Sequence, residues 1–176
     1  MGAEIVRALH AAGANILIHY RTSASAAIVL ADELNGVRPH SAAIHAAQLL
    51  DPEAPEQLVA ATLREFARLD ILINNASTFY PTPVGQITPV QWDDLMGSNL
   101  KAPLFLCQAA APSLRAQRGL IINMIDIHAL RPLKAHPVYS TAKAGLAMLT
   151  RSLARELGPE IRVNGIAPGP VLWPEG

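Results

Sequence analysis

The sequence predicts an α/β fold, a parallel sheet with helices on both faces. Two observations carry this. Five short apolar runs alternate with longer amphipathic stretches in the order αβαβαβαβαβ. The runs are also near-continuously apolar (ILI, LII), as strands covered on both faces are, rather than alternating with polar residues.

Each element has a local reason. MGAEIVRALHAAG is an amphipathic stretch closed by Gly13, a helix stop, and NILIHY (15–20) follows as a buried strand. SASAAIVLADELN predicts a second helix and SAAIHA a second strand. DPEAPEQLVAATLREFARL predicts a third helix, with Asp51 as N-cap and Pro52 at the first helical position. LDILINNAS holds a strand ending at Asn74. A loop rich in proline and aromatics, STFYPTPVGQI, leads to Thr88. There Thr88, Pro89 and Gln91 spell a capping box, opening a long helix over 88–115. GLIINMID is the next strand. A loop containing His128 and His136 precedes a helix over 137–157, and IRVNGIA is the last strand. We find no repeat or linker, so residues 1–176 read as a single domain.

Composition narrows the function. Net charge is zero and only 16% of residues are charged, which gives no basic footprint for nucleic acid. No apolar run is long enough for a membrane span, and no leader is recognisable, so the expectation is a cytoplasmic protein without a membrane partner. The one cysteine, Cys107, lies in the apolar run LFLCQAAA and reads as core. No histidine pair has metal-ligand spacing, so no metal is expected. Trp92 and Met96, four apart, read as helix packing.

In sheets of this kind ligands bind beyond the carboxyl ends of the strands. The polar groups there are Arg21 to Ser23, Asn74 to Ser77, Asp126, and Pro168 with Gly169. YSTAK follows on the next helix. Its spacing puts Tyr139 and Lys143 on one helical face, where an ammonium is expected to lower the phenol's pKa and suit it to proton transfer.

Taken in order, NNAS, the Asn99 of SNLKAP, NMID, YSTAK and IRVNGIAPGP resemble the short-chain dehydrogenase/reductase family from Gly2 to about Gly169. The resemblance implies a Rossmann-type doubly wound sheet and hydride transfer between a nicotinamide and a carbonyl or imine. It assigns Tyr139 as proton donor, Lys143 as its partner and a ligand of the nicotinamide ribose, and Asn99 as a polar link holding water or backbone near Lys143. It places Asn75, Ala76, Ser77, Pro168 and Gly169 against the cofactor. The family's usual serine, thirteen residues before the tyrosine, is Asp126 here. With NNASTFYPTP and IHYRTSA, this looks like the pteridine reductase branch. There an aspartate takes that place and an aromatic, here Phe79, sandwiches the pterin against the nicotinamide. Ser77, Phe79, Asp126 and Tyr139 would then touch the substrate. A carboxyl beside a phenol also suits a ring C=N, which needs a proton on nitrogen.

The strand ending HYRTS has no acid to hold a ribose 2′-hydroxyl. Arg21, Thr22 and Ser23 suit a 2′-phosphate, so NADP is the expected cofactor. At Gln48 the family usually has an aspartate for the adenine. By the same resemblance the chain lacks the first strand, its glycine-rich turn and the C-terminal elements. That leads us to expect a fragment binding NADPH poorly, and a homo-oligomer, a tetramer, in the full-length form. Two other readings compete with an NADPH-dependent reductase of a pterin or dihydrofolate-like ring. One is a family reductase of a 3-oxoacyl or other ketone; the other is a non-catalytic oligomerising fragment.

Overall fold

The computed structural model describes residues 1–169. Five strands and six α-helices keep the expected order, with two helices where one long helix was expected over 88–115: α1 (Gly2–Ala11), β1 (Ile16–Tyr20), α2 (Ala24–Val37), β2 (Ala42–Ala46), α3 (Ala54–Phe66), β3 (Ile71–Asn74), α4 (Pro89–Met96), α5 (Ala102–Ala116), β4 (Leu120–Met124), α6 (Pro137–Leu157) and β5 (Arg162–Ile166). All strand pairs are parallel. The expected sheet is divided into two ladders, β1-β2 and β3-β4-β5. Among the described residues no strand bonds both β1 and β3, so each of these keeps one edge without a strand partner.

The chain forms two compact units, one ending at Leu69 and the next beginning at Asp70. In the first, Ile18 of β1 and Ala42 of β2 pack under Leu30, Ala31 and Leu34 of α2. The Asn35 amide pins the start of β2, accepting from the N–H groups of Ser41 and Ala42 and donating to the Ala42 carbonyl. Arg7 of α1 grips Glu33 of α2 through two 2.8 Å bonds.

The second unit centres on β4, flanked by β3 and β5, with Ile121 and Asn123 fully buried. Parallel register sets Asn74 beside Asn123. The Asn74 side-chain amide donates to Asn123 Oδ1 at 2.8 Å, and Asn123 Nδ2 donates to Thr150 Oγ1 of α6 at 2.9 Å. Cys107 is fully buried, as expected of core, and burial raises its thiol to about 11.

Three expectations change. The third helix begins at Ala54 with Glu53 at its N-cap, because residues 51–53 close a turn in which Ala54 N–H bonds the Asp51 carbonyl. The Thr88 capping box is present, but the helix it opens is interrupted by a π-turn at Gly97–Lys101 before α5. Trp92 is 46% exposed and faces outward, whereas Met96 packs on the cluster of Leu95, Val138 and Tyr139. No helix of the described residues is long and apolar enough to cross a membrane.

Candidate active site

The second unit brings Asp126, Tyr139, Lys143, Ser77, Asn99 and Phe79 together. Asp126 lies two residues beyond β4. Its Oδ1 accepts from the His128 backbone N–H at 2.8 Å, capping the short 3₁₀ turn Ile127–Ala129. That cap aims Oδ2 at the phenol of Tyr139, which donates to it at 2.7 Å. One turn along α6, Lys143 is 3% exposed and donates to the Met124 carbonyl at 2.9 Å. Its ammonium lies 5.7 Å from the Tyr139 ring centroid. The helical face inferred from YSTAK is thus the observed one.

The electrostatics reverse one expectation. Tyr139's pKa is raised, first by burial, which penalises the phenolate, then by the hydrogen bond to and charge of Asp126; the Ser77 hydroxyl acts the other way. Lys143 does not pull the phenol down here. It is itself lowered to about 8, because burial disfavours its charge more than Asp126 favours it. The Tyr139 phenol thus donates to Asp126 beside a Lys143 side chain kept almost wholly from water.

Asn99 sits in the π-turn and is 1% exposed. Asparagine is a weak helix former, and here its amide is fully used: Oδ1 accepts from Ser77 Oγ at 2.6 Å, while Nδ2 donates to the Thr78 and Leu95 carbonyls at 3.0 and 2.9 Å. Ser98 adds a 2.6 Å bond to Thr78 Oγ1. The direct bonds of Asn99 run to the Ser77 hydroxyl and to the Thr78 and Leu95 carbonyls. Such single π-turns within α-helices often mark functional sites.

Phe79 stands where the site opens, 55% exposed, with its ring edge-on to Tyr139 at 4.8 Å. One of its faces is stacked on His136, with centroids 4.7 Å apart and planes 11° from parallel. The sequence marks His136 only as a residue of the loop before α6. Its i, i+3 spacing to Tyr139 was the signal available in the sequence. Asn75, Ala76 and Ser77 follow β3, the last two exposed. The Pro168 carbonyl accepts from Ile127 N–H at 3.3 Å, which ties the chain after β5 to the Asp126 turn. Gly169 is exposed, and Pro170 of the APGP motif lies outside the described residues. In the first unit Arg21, Thr22 and Ser23 are exposed, and none makes a side-chain hydrogen bond among the described residues.

A model of the family described as short chain dehydrogenase matches residues 1–174. The chain belongs to the short-chain dehydrogenase/reductase family. It is an oxidoreductase of that family, whose members use NAD or NADP. A pteridine reductase 1 of Leishmania tarentolae is 38% identical over 214 aligned residues, covering 99% of this chain and 74% of its own length. An L-xylulose reductase of Bos taurus is 35% identical, covering 100% and 69%. A 3-oxoacyl-(acyl-carrier-protein) reductase of Staphylococcus aureus is 31% identical, covering 96% and 69%.

The site's chemistry fits a nicotinamide cofactor. The Lys143 ammonium has three donors and spends one on Met124, so two remain for hydroxyl groups such as a ribose presents. When bound, such a cofactor supplies the hydride of the family's reaction.

Proposed function

We propose that this chain carries the catalytic centre of an NADPH-dependent reductase of a pterin or dihydrofolate-like ring. The observation behind this reading is the Tyr139 phenol bonded to Asp126 at 2.7 Å, with the half-exposed Phe79 ring beside it. Phe79 offers a flat apolar surface on which a heteroaromatic ring can lie. Tyr139 and Asp126 hold one proton between two oxygens, the inventory needed to protonate a ring nitrogen. Asn99, through Ser77 and Thr78, holds the segment that leads to Phe79. Lys143 holds the nicotinamide ribose, while Asn75, Ala76, Ser77, Pro168 and Gly169 pass close to the cofactor. Arg21, Thr22 and Ser23 hold the 2′-phosphate that makes the cofactor NADP.

The experiment is a substrate panel followed at the NADPH absorbance, using dihydropterin, dihydrofolate, a 3-oxoacyl thioester and a keto sugar. The pterin rings should exceed the ketones by about tenfold or more in kcat/KM. A ketone preference would overturn the reading in favour of a carbonyl reductase, as the names of the cattle L-xylulose reductase and the staphylococcal 3-oxoacyl reductase suggest. NADH used as well as NADPH would overturn the 2′-phosphate assignment. The exposed Val90, Trp92, Leu104 and Phe105 of α4 and α5 support a homo-oligomer, which light scattering tests.

A further inference from the structure

The sequence sets glycine directly after asparagine twice, at Asn35–Gly36 and at Asn164–Gly165. Such a pair carries its own reaction. The glycine backbone nitrogen attacks Cγ of the asparagine side chain; that bond forms, the Cγ–Nδ2 bond breaks, and ammonia leaves. Water then opens the cyclic imide at either of its carbonyls and leaves aspartate or isoaspartate. Water is the only co-reactant, and glycine has no Cβ to hinder the approach.

The two asparagines do different work. Asn164 lies in β5, exposed, and its side chain makes no hydrogen bond among the described residues. Asn35 lies in the last turn of α2, which ends at Val37, and its amide is a brace. Oδ1 accepts from the N–H groups of Ser41 and Ala42 at 2.9 and 3.0 Å, and Nδ2 donates to the Ala42 carbonyl at 2.9 Å. The residues just beyond are fastened too. Arg38 donates to the Gly13 and Ala14 carbonyls and to Asn15 Oδ1, while Ser41 Oγ donates to the Arg38 carbonyl. Three bonds hold the Asn35 amide in place and the helix holds the Gly36 nitrogen, so the reacting pair is restrained while this helix end stays closed. Helix ends are also where helices fray and local opening begins.

The product does not fit the place of the reactant. A carboxylate at position 35 still accepts from Ser41 and Ala42. Its second oxygen, however, stands where Nδ2 stood and meets the Ala42 carbonyl oxygen with no proton between them. Isoaspartate adds a backbone methylene and shifts the register of the last helical turn as well.

We propose that Asn35–Gly36 is a modification site gated by opening of the C-terminal end of α2, and that its deamidation turns a reversible opening of the first unit into a lasting one. The rate then follows the fraction of open molecules, as cleavage of a transiently opened state does.

The test is mass spectrometry on the full chain incubated at mildly alkaline pH, reading the amide-to-acid mass gain on peptides containing residue 35 or residue 164. In the folded protein the gain at 35 should be at least about tenfold slower than in the urea-unfolded chain, and should quicken in urea below the unfolding midpoint. Around Gly36 an added Cβ would meet nothing within 4 Å, so Gly36→Ala should keep the fold and lose most of the gain. Asn35→Asp should unfold at lower urea than the unmodified protein, or fail to fold. Equal rates in the folded and unfolded chain, no gain at 35 even when unfolded, or no response to low urea would overturn the proposal. So would an undiminished gain in Gly36→Ala or an Asn35→Asp midpoint equal to that of the unmodified protein. Gains at 35 and 164 that rise in constant ratio would mean global unfolding, and would overturn the local gate.

Discussion

Lys143 is a charge kept in a nearly dry place, and its effect on stability has a definite sign. In the unfolded chain a lysine holds its proton to about pH 10.4. In the folded protein burial lowers that to about 8. Between those values the unfolded state binds more protons, so stability rises with pH across the window; below it, both states are protonated and the burial penalty is fully present. The urea midpoint should therefore climb between about pH 8 and 9.5, by on the order of 1–2 kcal/mol in stability, and Lys143→Met should flatten the climb. Above about pH 10 the raised pKa of Tyr139 acts in reverse, because the unfolded phenol ionises first. Asp126 makes a second residue-scale case. Asp126→Asn keeps an oxygen for the His128 cap but cannot hold the proton. Pterin reduction should fall about 10²–10⁴-fold in kcat, with the 3₁₀ turn retained. An effect below tenfold would leave Asp126 only its capping role.

At the scale of elements, the π-turn at Gly97–Lys101 turns one long helix into a bracket for the 77–80 segment. Asn99 joins three groups: the hydroxyl of the exposed Ser77 and the Thr78 and Leu95 carbonyls. Tyr80 adds a 3.0 Å bond to Asp94 of α4. Asn99→Ala removes all three bonds, and we expect it to cost about 1–3 kcal/mol in thermal or urea unfolding. It should also raise KM for the ring substrate, because Phe79 loses its support. A loss under 1 kcal/mol would mean the segment is held by other contacts. Gly119 supports a neighbouring junction: an added Cβ would meet the Asp70 carbonyl oxygen at 2.5 Å, where β3 and β4 begin side by side. Gly119→Ala should therefore lower the melting temperature, since a backbone atom cannot swing aside as a side chain can.

At the scale of the whole molecule, the second unit has a graded sheet. β4 is paired on both sides, while β3 and β5 each have one strand neighbour. Opening β4 breaks two ladders and exposes Ile121 and Asn123, so its amides should exchange most slowly in that unit. Hydrogen exchange read by NMR checks this; slower exchange in β5 than in β4 would contradict the hierarchy. The N-terminal unit stands on its own cluster around Ile18, Leu30 and Leu34.

The order of elements was legible because strand and helix are written in local periodicity, and the Thr88 capping box because a cap spans only four residues. The Tyr139–Lys143 face was legible for the same reason, since helix geometry alone sets it. Asp126 was legible as a polar group at a strand end, and the family resemblance paired it with Tyr139. Other features depend on groups distant in sequence. The π-turn, the path of Asn99 to Ser77 and the stacking of His136 on Phe79 join residues from separate elements, and no local pattern records that. The direction of Tyr139's pKa shift was likewise decided by burial and by which oxygen the phenol meets. A neighbouring ammonium is visible in the sequence, whereas exclusion of water is a property of the packed fold.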